Sequence, residues 1–186
     1  MVLAVLLWPA LASPQTATPA QAMALEQQGK LAEAAEAWRA VTVHNPQDSA
    51  AFASLGVVLA RETQYKDAAA AYRRAIALNP RLPGIQLNLG LAEYKQGHFQ
   101  AAIPPLRAAL LQDPRSQQAR TLLGLSCYGA SRFAEAVKYL EPVARLDPAN
   151  AELHQVLAQS CLRAKKYACA QEQFRQLLQQ NPDSAP

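Results

Sequence analysis

Three histidines, three cysteines and a scatter of carboxylates are the side chains in this chain with chemistry to offer: metal ligation, proton transfer or a disulfide. Their arrangement does not suit catalysis. His44, His98 and His154 are far apart in sequence, with no pair at the i,i+4 spacing that puts two ligands on one helix face, and no Cys-x-x-Cys occurs. The phosphate-cradling loops GxxxxGKS/T and GxGxxG are missing from a chain with 7 glycines. The GxSxG turn of a serine nucleophile is missing too. Glu33, Glu36 and Glu135 read as helix-surface carboxylates. The expectation is a non-enzymatic protein without metal or cofactor. Cys127, Cys161 and Cys169 keep redox chemistry open, and their placement decides it.

The elements that would position these side chains are set by a ruler of prolines. Asn45-Pro46, Asn79-Pro80, Asp113-Pro114, Asp147-Pro148 and Asn181-Pro182 recur every 34 residues, a period of helix–turn–helix solenoids. The residue before a proline is pushed out of the α region, so each pair ends a helix. With the proline at position 32, the units run 15–48, 49–82, 83–116, 117–150 and 151–184, leaving segment 1–14 ahead and a tail at 185–186. Apolar residues recur at three- and four-residue steps, as in Ala68, Tyr72, Ala75 and Ile76.

Position 8 reads Ala22, Gly56, Gly90, Gly124 and Ala158, and position 20 reads Ala34, Ala68, Ala102, Ala136 and Ala170. Small residues there let two antiparallel helices approach closely. Bulky residues fill the space around them at position 17 (Leu31, Tyr65, Phe99, Phe133, Tyr167) and position 24 (Trp38, Tyr72, Leu106, Leu140, Phe174). Gly29 and Gly97 at position 15 predict a turn between the helices, although Thr63, Ser131 and Lys165 hold the same place elsewhere. Pro104, Pro105 and Pro142 fall inside second helices and predict bends, since an interior proline costs about 3 kcal/mol.

This register resembles the tetratricopeptide repeat family over roughly residues 15–182. The resemblance implies an all-α, right-handed superhelical solenoid of antiparallel helix-turn-helix repeats. It also implies a scaffold that binds proteins or peptides in a concave groove. Unit 1 departs from the pattern, with Thr18 where a bulky residue is usual, Gln21 at position 7 and Pro19 within its first helix, which predicts a short or frayed helix.

In this family the first helices line the groove, with positions 2, 5, 6, 9, 12 and 13 facing it. Carried onto this chain, position 9 is an apolar stripe that includes Val57, Leu91 and Leu125. Position 12 offers Tyr94 and Tyr128, position 13 offers Arg61 and Lys95, and position 6 includes Asn88. Such a surface suits a peptide with apolar anchors and a carboxylate, and the two tyrosines are the natural anchors. The alternative is that these residues are ordinary family filler. A chaperone-carboxylate clamp known in some members is not expected. Asn88 fits its middle place, but Ala53, Val57, Gln118 and Leu122 stand where clamp residues would be.

Charge and termini complete the picture. The net charge of +4 is spread thinly, with Arg73-Arg74 and Lys165-Lys166 the densest pairs, so nucleic acid is not an expected partner. No small-molecule substrate is evident. Val2–Ala12 is apolar and ends in Ala10-Leu11-Ala12 before Ser13, which resembles a signal-peptidase site, although no Lys or Arg precedes Lys30. Export to a periplasm or the exterior is the expectation, and a cytoplasmic protein with an apolar tail is the alternative.

Cys127 and Cys161 share position 11, a core place, and Cys169 holds position 19. Helix pairing is expected to set position 11 nearer 17 than 19. That favours two buried fillers and a surface thiol over a Cys161–Cys169 disulfide. The last helix is rich in glutamine and carries Leu177 and Leu178. It could tolerate solvent, continue into a longer array or dock another subunit. An end-to-end assembly role is therefore the rival to groove binding. A second rival is a binding module of a larger protein whose enzymatic domain lies elsewhere.

Overall fold

In a computed structural model, residues 17–180 are described. Among them are ten α-helices and no strand: α1 (Pro19–Gln27), α2 (Leu31–His44), α3 (Ser49–Arg61), α4 (Tyr65–Leu78), α5 (Ile85–Lys95), α6 (Phe99–Gln112), α7 (Gln117–Gly129), α8 (Phe133–Leu146), α9 (Ala151–Arg163) and α10 (Tyr167–Gln180). Each helix packs on its chain neighbours, and the first helices of successive units also touch, α3 on α5, α5 on α7 and α7 on α9. This is the all-α right-handed superhelical solenoid of antiparallel helix-turn-helix repeats. The signal-like segment 1–14, the last Asn-Pro pair and the tail lie outside the described residues.

The helices meet where the small residues are. A Cβ placed on Gly56 would lie 2.5 Å from the Tyr72 ring, and Gly90 and Gly124 face Leu106 and Leu140 just as closely. The position 8 glycine is thus a socket for the position 24 side chain of its own hairpin. Ala34, Ala68, Ala102 and Ala136 at position 20 are completely buried. Burial also pushes the Tyr72 hydroxyl up to about 12, because an ionised phenolate there would lose its water.

Every hairpin turn uses the same backbone. Position 15 is left-handed in all five units: Gly29 (φ 75°), Thr63 (60°), Gly97 (75°), Ser131 (59°) and Lys165 (59°). Glycine is not obligatory, but its conformation is, and the three other residues adopt it at roughly 1 kcal/mol each.

Four features bear on the sequence expectations. Pro19 does not fray α1. It is the first helical residue, where proline has no hydrogen bond to lose. Thr18 caps the helix, its hydroxyl accepting from the Gln21 amide while the Gln21 side chain accepts from the Thr18 amide. The helix is short, at 9 residues, and well capped. Second, α5 begins at Ile85 rather than at the unit start, because Pro83-Gly84 forms a turn with Gly84 left-handed.

Third, α6 and α8 run unbroken through their prolines, each with the 14 residues of α2, α4 and α10. The carbonyls four residues before Pro104, Pro105 and Pro142 belong to Gln100, Ala101 and Lys138, which are all exposed and can bond water instead.

Fourth, Cys161 and Cys169 form a disulfide, with Cα atoms 5.8 Å apart. The left-handed Lys165 turn is tight enough for the Lys166 amide to bond the Cys161 carbonyl at 2.8 Å. The first turn of α10 therefore faces the last turn of α9, which brings position 19 to position 11. Cys127 remains a buried free thiol, pushed up to about 11 chiefly by burial.

Candidate functional site

Three shallow concavities lie along α3, α5, α7 and α9. Val57, Arg61, Asn88, Leu91 and Lys95 come together in the first, of about 330 Å³, with Ala60, Tyr65, Tyr72 and Ala92. Leu91, Tyr94 and Leu125 lie in the second and largest, of about 620 Å³. Its other apolar walls are Leu122, Val143, Leu153 and Val156, and its polar edge includes Gln117, Gln118, Thr121, Asp147, Asn150 and Glu152. Tyr128 lies apart in a third, of about 420 Å³, with Phe133, Gln159, Leu162 and Arg163. Leu91 lines both the first and the second, so those two form one continuous floor.

The tyrosines are held from behind. Tyr94 meets Phe99 edge-on at 5.6 Å between centroids, and Tyr128 meets Phe133 the same way at 5.9 Å. Such aromatic pairs are favourable beyond their buried area and fix the ring orientation. The two differ in their hydroxyls. Tyr128 donates to Gln159 Oε1 of the next unit, so its polar end is already engaged and it serves the array itself. Among the described residues Tyr94 makes no such bond, and it lines the large concavity.

The position 13 residues also do unequal jobs. Arg163 lies over the Phe133 ring at 5.1 Å, while Gly129 leaves room for Phe99 to press against the backbone. Arg61 sits 3.9 Å from Glu26, whose other oxygen accepts from the Trp38 indole at 2.6 Å. Lys95 is exposed and takes part in no ion pair among the described residues.

Two polar clusters were not read from the sequence. The Glu93 side chain is 2% exposed, and it bonds Arg73 and, at 3.1 Å, His98. The register held the signal, since position 11 otherwise reads Leu25, Leu59, Cys127 and Cys161. Glu135 bridges Arg107 and Arg132 between successive hairpins. Partial burial pushes its carboxyl up, but the two guanidiniums outweigh that and hold it below the usual carboxylate range.

The histidines have separate surroundings. His44 is exposed, His98 is beside Glu93, and His154 is buried with Nδ1 2.6 Å from Gln173 Oε1. Among the described residues no group of three or more His, Cys, Asp or Glu could hold a metal ion.

A regular helical stack with an apolar, aromatic inner face is the architecture of a repeat scaffold. The tetratricopeptide repeat model matches residues 20–83 and 87–151, and a second tetratricopeptide model matches 128–186. The chain belongs to the tetratricopeptide repeat family.

Several solved structures share the fold. MamA from Desulfovibrio magneticus RS-1 superposes with a TM-score of 0.73 at 21% identity, covering 89% of this chain and 93% of its own. MamA from AMB-1 gives 0.77 at 18% identity, covering 89% and 91%. YrrB, described as a TPR protein with an unusual peptide-binding site, gives 0.78 at 19% identity, covering 89% and 85%. No curated protein matches the chain in sequence. At these identities the structural likeness establishes the fold.

Proposed function

We propose that this protein is a non-catalytic scaffold that binds a protein or peptide segment on its concave face. The observation that carries the reading is the continuous apolar floor through Val57, Leu91, Tyr94 and Leu125, edged by residues that can bond a peptide backbone. Asn88 and Thr121 offer both donors and acceptors there. Peptide binding by YrrB, a fold neighbour, makes the reading reasonable without supplying the partner. Arg61 and Lys95 suit acidic groups on the segment, and Tyr94 is the better of the two tyrosine anchors because Tyr128 is already bonded. The exported location proposed from Val2–Ala12 draws support from the Cys161–Cys169 disulfide, since such bonds persist mainly in oxidising compartments.

The test is capture from the native organism's envelope fraction with wild-type protein and with Leu91→Glu and Tyr94→Ala variants. Loss of the same partner in both variants, at unchanged helicity, supports the groove. Capture that survives both removes it.

One observation favours a second reading, end-to-end assembly. Leu162, Tyr167, Phe174 and Leu178 are exposed together on the α9–α10 hairpin, at 48%, 61%, 40% and 46%. A patch of this kind marks contacts in other proteins. Sedimentation over a wide concentration range separates the readings, because a strict monomer leaves only the groove.

A further inference from the structure

The two joined concavities carry opposite charge. The charged residues lining the first are Arg61 and Lys95, both cations. Those lining the second are Asp147 and Glu152, both anions. Lys95, Asp147 and Glu152 take no part in any ion pair among the described residues, and Arg61 reaches Glu26 only at 3.9 Å.

Three of the four charges are where their helices favour them. Arg61 and Lys95 end α3 and α5, and Glu152 lies in the first turn of α9. The helix dipoles stabilise these three placements, whereas Asp147 is the C-cap of α8, where the dipole disfavours a carboxylate, and the Asn150 side chain donates to it at 3.1 Å. Between the two ends lie Leu91, which lines both concavities, and Tyr94, which lines the second.

We infer that the groove takes a bipolar segment in one orientation, with acidic residues toward α3 and α5, apolar residues over Leu91 and Tyr94, and basic residues toward α9. This inference rests on the groove reading and names its ligand. A uniformly acidic segment would meet Asp147 and Glu152, and a uniformly basic one would meet Arg61 and Lys95. Like charges brought together in this way reject the wrong partner more than they weaken the right one. The steps from α5 to α7 and α7 to α9 span roughly 20 Å at ordinary interhelical distances, and because Lys95 ends α5 while Glu152 begins α9 the charges are also offset by roughly 15 Å along the helices. About eight extended residues cover the resulting distance of roughly 25 Å, so the acidic and basic groups should be separated by a short apolar stretch.

The probe is a synthetic peptide with blocked termini: two aspartates, about eight leucine, tyrosine and alanine residues, then two lysines. It carries a nitroxide at either end and is titrated into isotope-labelled full-length protein. The expected result is that the tag on the aspartate end broadens the amides of α3 and α5, and the tag on the lysine end broadens those of α9. K95E and E152K should each weaken binding roughly tenfold, less so at high salt.

The K95E/E152K double variant leaves each end with one charge of each sign. It should still bind, with both tags broadening both ends alike. Equal broadening in the wild-type protein, or charge variants that bind unchanged, overturns the polarity while leaving the groove intact. No response at Leu91, Tyr94 or Leu125 overturns the groove reading as well.

Discussion

The first and last hairpins are the same 34-residue unit placed in opposite situations, and they are stabilised differently. In α1–α2 the position 24 side chain, Trp38, is 3% exposed and pins Glu26 through its indole. In α9–α10 the equivalent Phe174 is 40% exposed. The first hairpin has α3 to cover Trp38. The described residues end with α10, and nothing among them covers Phe174. The last hairpin instead has a covalent tie between its helices and a buried His154–Gln173 bond. The contrast teaches that in a linear stack each unit relies on its neighbours. The first hairpin carries a capping box and the last a disulfide between its helices.

The largest expected effect breaks this comparison at position 24. Trp38→Ala should cost about 3–5 kcal/mol, as removal of a buried aromatic does. Phe174→Ala should cost at most about 1 kcal/mol, as at a partly exposed site. Paired chemical denaturation measures both, and equal losses would mean that the two ends are packed alike. Next in size is the disulfide. Reduction, or the paired variant C161A/C169A, should destabilise the last hairpin by about 2–3 kcal/mol on the loop-entropy scale. Hydrogen exchange should quicken in α9 and α10 and remain unchanged in α1 and α2.

Loss of the first hairpin's own device is smaller. Thr18→Ala should cost about 1 kcal/mol, seen as faster exchange confined to α1. The two turns give opposite signs. Gly29 is left-handed with open space around it, so Gly29→Ala should destabilise by about 1 kcal/mol. Lys165→Gly should stabilise by about 0.5–1 kcal/mol, because it relieves the same strain. Thermal melts of the two variants moving in one direction would contradict the shared turn geometry.

The smallest effect belongs to the middle of the array and serves as a reference for both ends. Glu135 has a lowered carboxyl pKa in the fold. Its contribution is therefore present above the unfolded carboxylate value, about 4.3, and fades as pH falls through the lower folded value. Denaturation midpoints followed through that acid range should show a shallow loss that Glu135→Gln removes.

Much of this was legible in the residues. The proline ruler gave the hairpin ends, the small residues at positions 8 and 20 gave the close approach, and Val57, Arg61, Asn88, Leu91 and Lys95 do share one concavity. Other features depended on how helices meet. Val143 and Asp147 reach the large concavity from the end of α8, outside the first-helix positions that the resemblance supplied. Tyr128 looked equivalent to Tyr94 until Gln159 was found across the next unit to engage its hydroxyl. Sequence spacing describes one helix at a time, and these contacts join different units.

Periodicity, small-residue positions and proline placement therefore determined the family and the fold, because they are properties of single helices and of their repeat. The tertiary structure decided which cysteines pair, what the buried Glu93 bonds, which tyrosine hydroxyl is engaged and which charges line each concavity. Each of these depends on a few ångströms between side chains from separate hairpins. That distance is set by packing and turn geometry rather than by position in the chain.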